Sequence, residues 1–224
     1  MAKISVHYFS DVLCVWAYIA QARLDEARAK FGDRVHFDMR FCSVFGDAHH
    51  KIENTWRRNG SYDGFNAHLH KVAERFPHIE LNEAIWKDVR PHTSSAAHQF
   101  LKAVQLVTDE AGKGEQCFLD ATWAIRNSFF AQARDISNWS VHRDIAADLN
   151  IDFALVEAKI HSGEALARLD EDQKLGQELG VVGSPTFVMN EGRQKLFGNV
   201  GYRLIEANLE ELLRKPKTEE ASWC

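Results

Sequence analysis

Two stretches of alternating hydrophobicity, separated by a single helix-length segment, open the chain and constrain its fold more than any other feature. Residues 4–9, Ile-Ser-Val-His-Tyr-Phe, alternate as a strand does, and Ser10-Asp11 interrupt them. Residues 34–41 alternate again, with Val35, Phe37, Met39 and Phe41 on one face and His36, Asp38 and Arg40 on the other. Between them, residues 14–30 place Trp16, Ile19, Ala20, Leu24 and Ala27 at helical spacing as a candidate inner stripe. Two strands joined by a helix of this length pair in parallel through a right-handed crossover. Strand character returns only near the other end. Residues 186–189 form a strand, Asn190-Glu191-Gly192 a turn and residues 195–197 the return strand of a hairpin. Ile205, Leu209 and Leu212 then mark a last amphipathic helix, before a charged tail over 215–224.

The interval between these ends reads as helical. Residues 94–110 put Ala97, Leu101, Val104 and Val107 on one face, and residues 115–131 form a second helix rich in Phe and Trp. Ser137 is the expected N-cap of a third helix running to Leu149. Asp152 caps a fourth through Ile160, and a fifth spans 164–179, closing at Gly180. Residues 46–80 are polar and His-rich, and give no clear period. The order β-α-β, helical block, β-β-α divides the chain into an α/β part made of residues 1–60 and 181–224 and a helical insertion over 61–180.

Composition limits what such a chain does. Of 224 residues, 27 are Lys or Arg and 32 Asp or Glu, a net charge of −5, which lacks the basic excess of a nucleic-acid footprint. No apolar run approaches the roughly 20 residues a membrane span needs, and residues 1–11 do not read as a signal peptide. Four scattered cysteines, Cys14, Cys42, Cys117 and Cys224, do not make a disulfide scaffold and suit a reducing, cytoplasmic setting.

Cys14 follows a strand and opens a helix, where unpaired N–H groups and the helix dipole favour an anion. A thiol at such a place is expected to have a depressed pKa and to react as thiolate. The alternative is a small buried residue at the junction. In Gly183-Ser184-Pro185-Thr186-Phe187 a proline directly precedes a strand, either as a cis bond in a tight turn or as a trans strand-initiator. Cys42, after the second strand, is either a packed residue or a second thiol near Cys14; Cys117 reads as core. His49-His50 and His68-x-His70 lack ligand partners at a familiar spacing, so no metal site is assigned. Arg57 and Arg58 are a solvated pair or a guide for an anionic ligand, and Trp123, Phe129 and Phe130 read as insertion core.

These residues carry a resemblance. Asp11 through Ile19, Phe129-Phe130, Asp135-Ile136-Ser137, the Gly183-Ser184-Pro185 loop and Gly198-Asn199-Val200 together resemble the DsbA-like thioredoxin-fold family. Within it, the FrnE-like branch, the kappa-class glutathione transferases and the 2-hydroxychromene-2-carboxylate isomerases are the relatives of interest. The resemblance implies a thioredoxin-like fold with a large all-helical insertion, with Cys14 as nucleophile and Pro185 as the facing cis-proline. It also implies substrate contacts from Trp16, Ala17, Ser184 and Asn199. Where the family places a second cysteine, this chain has Ala17, so no local dithiol cycle is available. Kappa-class enzymes hold the glutathione amine with a carboxylate, and the matching residue here, Asn199, is uncharged.

Two activities follow from the resemblance. One is monothiol exchange through Cys14, with glutathione as external cosubstrate, no tightly bound cofactor, and a small-molecule thiol or disulfide, or a peptide disulfide, as partner. The other is a glutathione-dependent isomerase or transferase, in which Cys14 takes no covalent part. A non-catalytic scaffold binding a peptide beside Pro185 is a third reading, and homodimerisation is left open.

Overall fold

The computed structural model describes residues 3–112 and 114–214. Its strands are β1 (Ile4–Ser10), β2 (Val35–Phe41), β3 (Thr186–Met189) and β4 (Gln194–Phe197). They form one sheet in the order β2-β1-β3-β4. β1 and β2 are parallel, in register from Ile4 opposite Val35 to Ser10 opposite Phe41. β3 runs antiparallel to β1, and β4 antiparallel to β3. The parallel pair is joined by α1 (Val15–Phe31), as a parallel connection requires. This is a thioredoxin-like sheet carrying a helical block between its two halves.

Of the expected inner stripe of α1, Ile19, Ala20, Leu24 and Ala27 are buried. Trp16 departs from it: the indole is half-buried and lies edge-on to Phe76. The cause is that α1 is covered on two sides. Tyr18, off the stripe, stacks on Phe130 and Trp123 of the insertion, so one apolar stripe does not describe its buried surface.

The stretch without a clear period contains α2 (Ala48–Thr55) and α3 (Ser61–Ala73), joined by a 3-10 turn at Arg57–Asn59. Asp47 caps α2, its side chain accepting from the His50 N–H at 2.8 Å. Gly64 has no alternative, because a Cβ there would stand 1.6 Å from the Asn59 carbonyl oxygen. Arg57 and Arg58 are exposed, as are His49, His50 and His68.

The block continues with α4 (Ser95–Glu110), α5 (Glu115–Phe130), α6 (Trp139–Asp148), α7 (Phe153–His161) and α8 (Glu164–Glu178); α9 (Tyr202–Leu213) follows the hairpin. Ala97, Leu101, Val104 and Val107 are buried as their spacing requires. Ser137 is not the cap of α6; Asn138 is. The Ser137 hydroxyl donates instead to Asp135 at 2.6 Å, in a local turn that precedes the helix. Trp123 is also not core: it is 40% exposed over Tyr18, whereas Phe129 and Phe130 are fully buried. Residues 215–224, with the tail and Cys224, lie outside the described residues.

One apolar cluster joins sheet and insertion, from Val6 and Tyr8 through Ile19 and Leu24 to Phe100, Leu101 and Phe129. A buried carboxylate anchors the same junction. Asp172 of α8 accepts from the Phe41 N–H at 2.9 Å and from Arg40 at 3.0 Å, and pairs with Lys102 of α4 at 2.7 Å. Both insertion helices are thereby fixed to β2, next to the end of the sheet where β1 hands over to α1.

Candidate active site

The chain leaves β1 at Ser10 and turns through Asp11-Val12-Leu13 into α1. The Cys14 N–H donates to the Asp11 carbonyl at 3.1 Å, and Cys14 itself is the N-cap, with extended φ/ψ of −83° and 113°. Its carbonyl accepts from the Ala17 and Tyr18 N–H groups at 3.0 and 3.1 Å, starting the helix. The thiol faces the loop before β3, where its S–H donates to the Ser184 carbonyl at 3.2 Å. The Ser184–Pro185 peptide is cis. Gly183 leaves room for the Phe197 ring: a Cβ there would come 2.8 Å from it. The Gly198 N–H then closes the loop onto the Pro185 carbonyl at 2.8 Å.

Cys14 is only 6% exposed, and this reverses the expected electrostatics. Burial pushes the thiol above its ordinary range. The Ser184 hydroxyl and the N–H groups of Ala17 and Trp16 pull the other way, and the Asp11 charge adds to the rise. A helix terminus is worth about 0.3–1 kcal/mol, whereas full desolvation moves a pKa by up to roughly 3–5 units. The expected depressed pKa is therefore corrected: Cys14 rests as a hydrogen-bonded thiol.

The other expected site residues are placed as follows. Ser184 lines the thiol with its carbonyl, while its hydroxyl accepts from the Asp11 N–H at 2.9 Å. Trp16 stands half-buried at the rim beside Cys14. Ala17 is fully buried, so its methyl group offers no surface to a substrate; the first turn of α1 folds it inward. Asn199 accepts a hydrogen bond from Arg23. Arg23 lies nine residues beyond Cys14, about 13 Å along the helix axis, so Asn199 ties the hairpin to mid-α1. Cys42 is half-buried with its sulfur 3.9 Å from the Gly183 carbonyl, next along the loop from the carbonyl that Cys14 touches. Burial first, then the charge of Asp11, push its thiol well above the ordinary range. Cys117 is half-buried against the insertion core. Among the described residues no three His, Cys, Asp or Glu side chains are grouped to hold a metal.

Four further residues, Asp11, Ser94, His98 and Arg126, surround the Cys14 turn without a sequence motif of their own that marks them. Asp11 and Ser94 are fully buried, and the Ser94 hydroxyl donates to the Asp11 carboxylate at 2.8 Å. His98, one turn along α4, accepts from the Val12 N–H at 3.2 Å. Burial lowers its pKa to about 4, so the imidazole is neutral at pH 7. Arg126, also fully buried, donates to the Ser10 hydroxyl at 2.8 Å and to Gln21. Only Asp11, three residues before Cys14, carried a local signal; the others come from the insertion. A groove of about 610 Å³ opens between α1 and α5, with Tyr18, Gln21, Asp25, His78 and Trp123 in its walls.

The fold recurs in solved structures. The cytosolic disulfide reductase DsbM from Pseudomonas aeruginosa, solved with GSH, is 19% identical, with 92% of this chain and 100% of that one covered at a TM-score of 0.66. A 2-hydroxychromene-2-carboxylate isomerase is 18% identical over 94% and 97% of the two chains, at 0.68. The thiol-disulfide exchange protein alpha-DsbA2 from Wolbachia pipientis is 14% identical over 94% and 82%, at 0.58. At these identities the likeness is one of fold. No curated protein sequence matches the chain. Among family profiles, that of the DSBA-like thioredoxin domain matches residues 5–210. The chain, with its Cys14 turn facing a cis Ser184–Pro185 loop across a thioredoxin-like sheet, belongs to the DSBA-like thioredoxin family.

Proposed function

We propose that this protein is a glutathione-linked thiol–disulfide oxidoreductase that works through the single thiol of Cys14. The observation that carries the reading is the Cys14 S–H, at the start of α1, donating at 3.2 Å to the carbonyl of the residue before cis Pro185. In the cycle, the Cys14 thiol gives up its proton to solvent as the thiolate attacks a mixed disulfide R–S–S–G, forming Cys14–S–S–G and releasing R–S⁻, which takes up a proton. Glutathione thiolate then attacks the sulfur of the bound glutathionyl group, giving oxidised glutathione and restoring Cys14. Ala17 supplies no sulfur for a local second step, so the external thiol completes turnover. Such a cycle suits a reducing cytoplasm, and the likeness to a cytosolic disulfide reductase solved with GSH supports it. Ser184, against the Cys14 thiol, and Trp16, at the rim beside it, frame the substrate. The test is reduction of a glutathionylated small-molecule disulfide by glutathione. Wild-type protein is expected to turn over and Cys14→Ser to fall to background; full activity in Cys14→Ser would refute the assignment.

One observation favours a second reading. The Cys14 sulfur is a neutral S–H donor, the state that hydrogen-bonds a glutathione thiolate without exchanging with it. Calorimetric titration separates the two: reversible glutathione binding by a protein that forms no mixed disulfide supports the isomerase or transferase chemistry.

A further inference from the structure

Every polar atom of Asp11 is used: some bonds close the Cys14 turn itself, and the others join the Ser184 loop, the 44–45 loop and Ser94 to it. Its N–H donates to the Ser184 hydroxyl at 2.9 Å, and its carbonyl accepts from the Cys14 N–H at 3.1 Å. Oδ1 accepts from the Leu13 N–H at 2.9 Å. Oδ2 accepts from the Val44 and Phe45 N–H groups at 2.9 and 2.8 Å and from the Ser94 hydroxyl at 2.8 Å. His98 adds a parallel tie from α4 to the neighbouring Val12 N–H, and its Nε2 lies 3.8 Å from Oδ1. A fully buried carboxylate surrounded by four donors is costly to form and strongly directional once formed. It is more than helix capping needs, because the capping residue of α1 is Cys14.

We infer that Asp11 is the positioning residue of the exchange reaction, holding the Cys14 sulfur in line with the Ser184–Pro185 loop and linking that alignment to the insertion through Ser94. This rests on the proposed role of Cys14. Asp11 is fully buried, so its carboxylate does not meet the substrate; it acts through the turn it holds and through its charge. The geometry explains why a helix of the insertion begins at Ser94: that hydroxyl, together with the 44–45 loop, occupies Oδ2 and aims the opposite oxygen at Leu13. The same carboxylate has a second consequence. Its charge, three residues from the thiol, opposes thiolate formation, and a thiol that ionises reluctantly makes a poor leaving group and a weak oxidant. Asp11 therefore favours the reductive direction of the cycle.

The test is Asp11→Asn, which keeps the size of the side chain but turns an amide N–H₂ toward donors. Three quantities are read in the full-length protein: kcat/KM for a glutathionyl disulfide, the thiolate absorbance of Cys14 against pH, and the alkylation rate of Cys14 by iodoacetamide. Expected is a fall in kcat/KM of roughly tenfold to a hundredfold, the scale of a misplaced reacting group. The thiolate titration should move to lower pH and alkylation at neutral pH should become faster. A purely structural residue would not drive exchange and alkylation in opposite directions. Wild-type exchange with an unmoved titration would overturn the inference. If Asp11→Asn does not fold, Ser94→Ala decides, since it removes one donor and leaves the charge: slower exchange with an intact circular-dichroism spectrum supports the role, and a wild-type rate contradicts it. If wild-type protein does not exchange at all, the proposed function fails, while the titration and alkylation of Cys14 still report on Asp11.

Discussion

At the scale of single residues, the chemistry turns on how little of Cys14 meets solvent. A helix-start cysteine is commonly read as an activated thiolate, yet here burial outweighs the helix terminus and the sulfur stays protonated. Alkylation of Cys14 is thus expected to rise steadily with pH through and beyond the ordinary thiol range of about 8.5, with no plateau between about pH 5 and 7 of the kind a depressed thiol gives. A plateau there would show that the helix terminus dominates after all. Ala17 gives a complementary outcome. Ala17→Cys should allow a disulfide between positions 14 and 17, detectable as a loss of two titratable thiols on oxidation, and should make turnover independent of glutathione whenever another dithiol reductant is supplied. Of the candidate site, Cys14, Ser184 and Pro185 were legible because their meaning is local: a cysteine after a strand, a proline before one. The state of the thiol was not legible, because burial of Cys14 to 6% exposure depends on the folded packing around it, including the Ser184 loop 170 residues away.

At the scale of elements, the strands and the long helices were readable because each buries one face with a regular period. α2 and α3 were not. Their buried residues, Ala48 and Ile52 in one and Tyr62, Phe65 and Leu69 in the other, are too few to stand out among the histidines and charges, and the turn between them depends on Gly60, at φ 90°, and on Gly64. Gly64 offers a sharp check. Gly64→Ala places a methyl group 1.6 Å from the Asn59 carbonyl oxygen, which forces α3 away from the 3-10 turn and should cost about 1–3 kcal/mol, read as a lower denaturant midpoint. An unchanged midpoint would mean that this turn is not formed as described. The cap of α6 was misplaced by one residue for a similar reason: Ser137 has the right chemistry for a cap, but Asp135 captures its hydroxyl first.

At the scale of the whole molecule, sheet and insertion share one core, and their seam is held by buried polar groups. His98 and His142 are both buried and neutral, with pKa values lowered by burial to about 4. Because both titrate lower in the folded chain than in the unfolded one, the unfolded state takes up protons first as pH falls. Stability is therefore complete above about 6.5 and declines toward about 4, by roughly 3 kcal/mol for each group at most. His98→Gln should flatten part of that decline in urea denaturation measured across this window; an unchanged slope would contradict a buried neutral His98. Asp38 acts at the acid end. Despite partial burial, which works against it, His7 and Arg40 lower its carboxyl to about 2, so the stability it adds is full above about 4 and is lost as pH falls through 2.

All of these scales meet at the sulfur of Cys14, and the most direct measurement is mass spectrometry of the protein after brief exposure to oxidised glutathione. One glutathionyl group is expected on the peptide that carries Cys14, absent from Cys14→Ser and removed by excess glutathione. Modification confined to Cys42, Cys117 or Cys224, with Cys14 unmodified, would contradict the account.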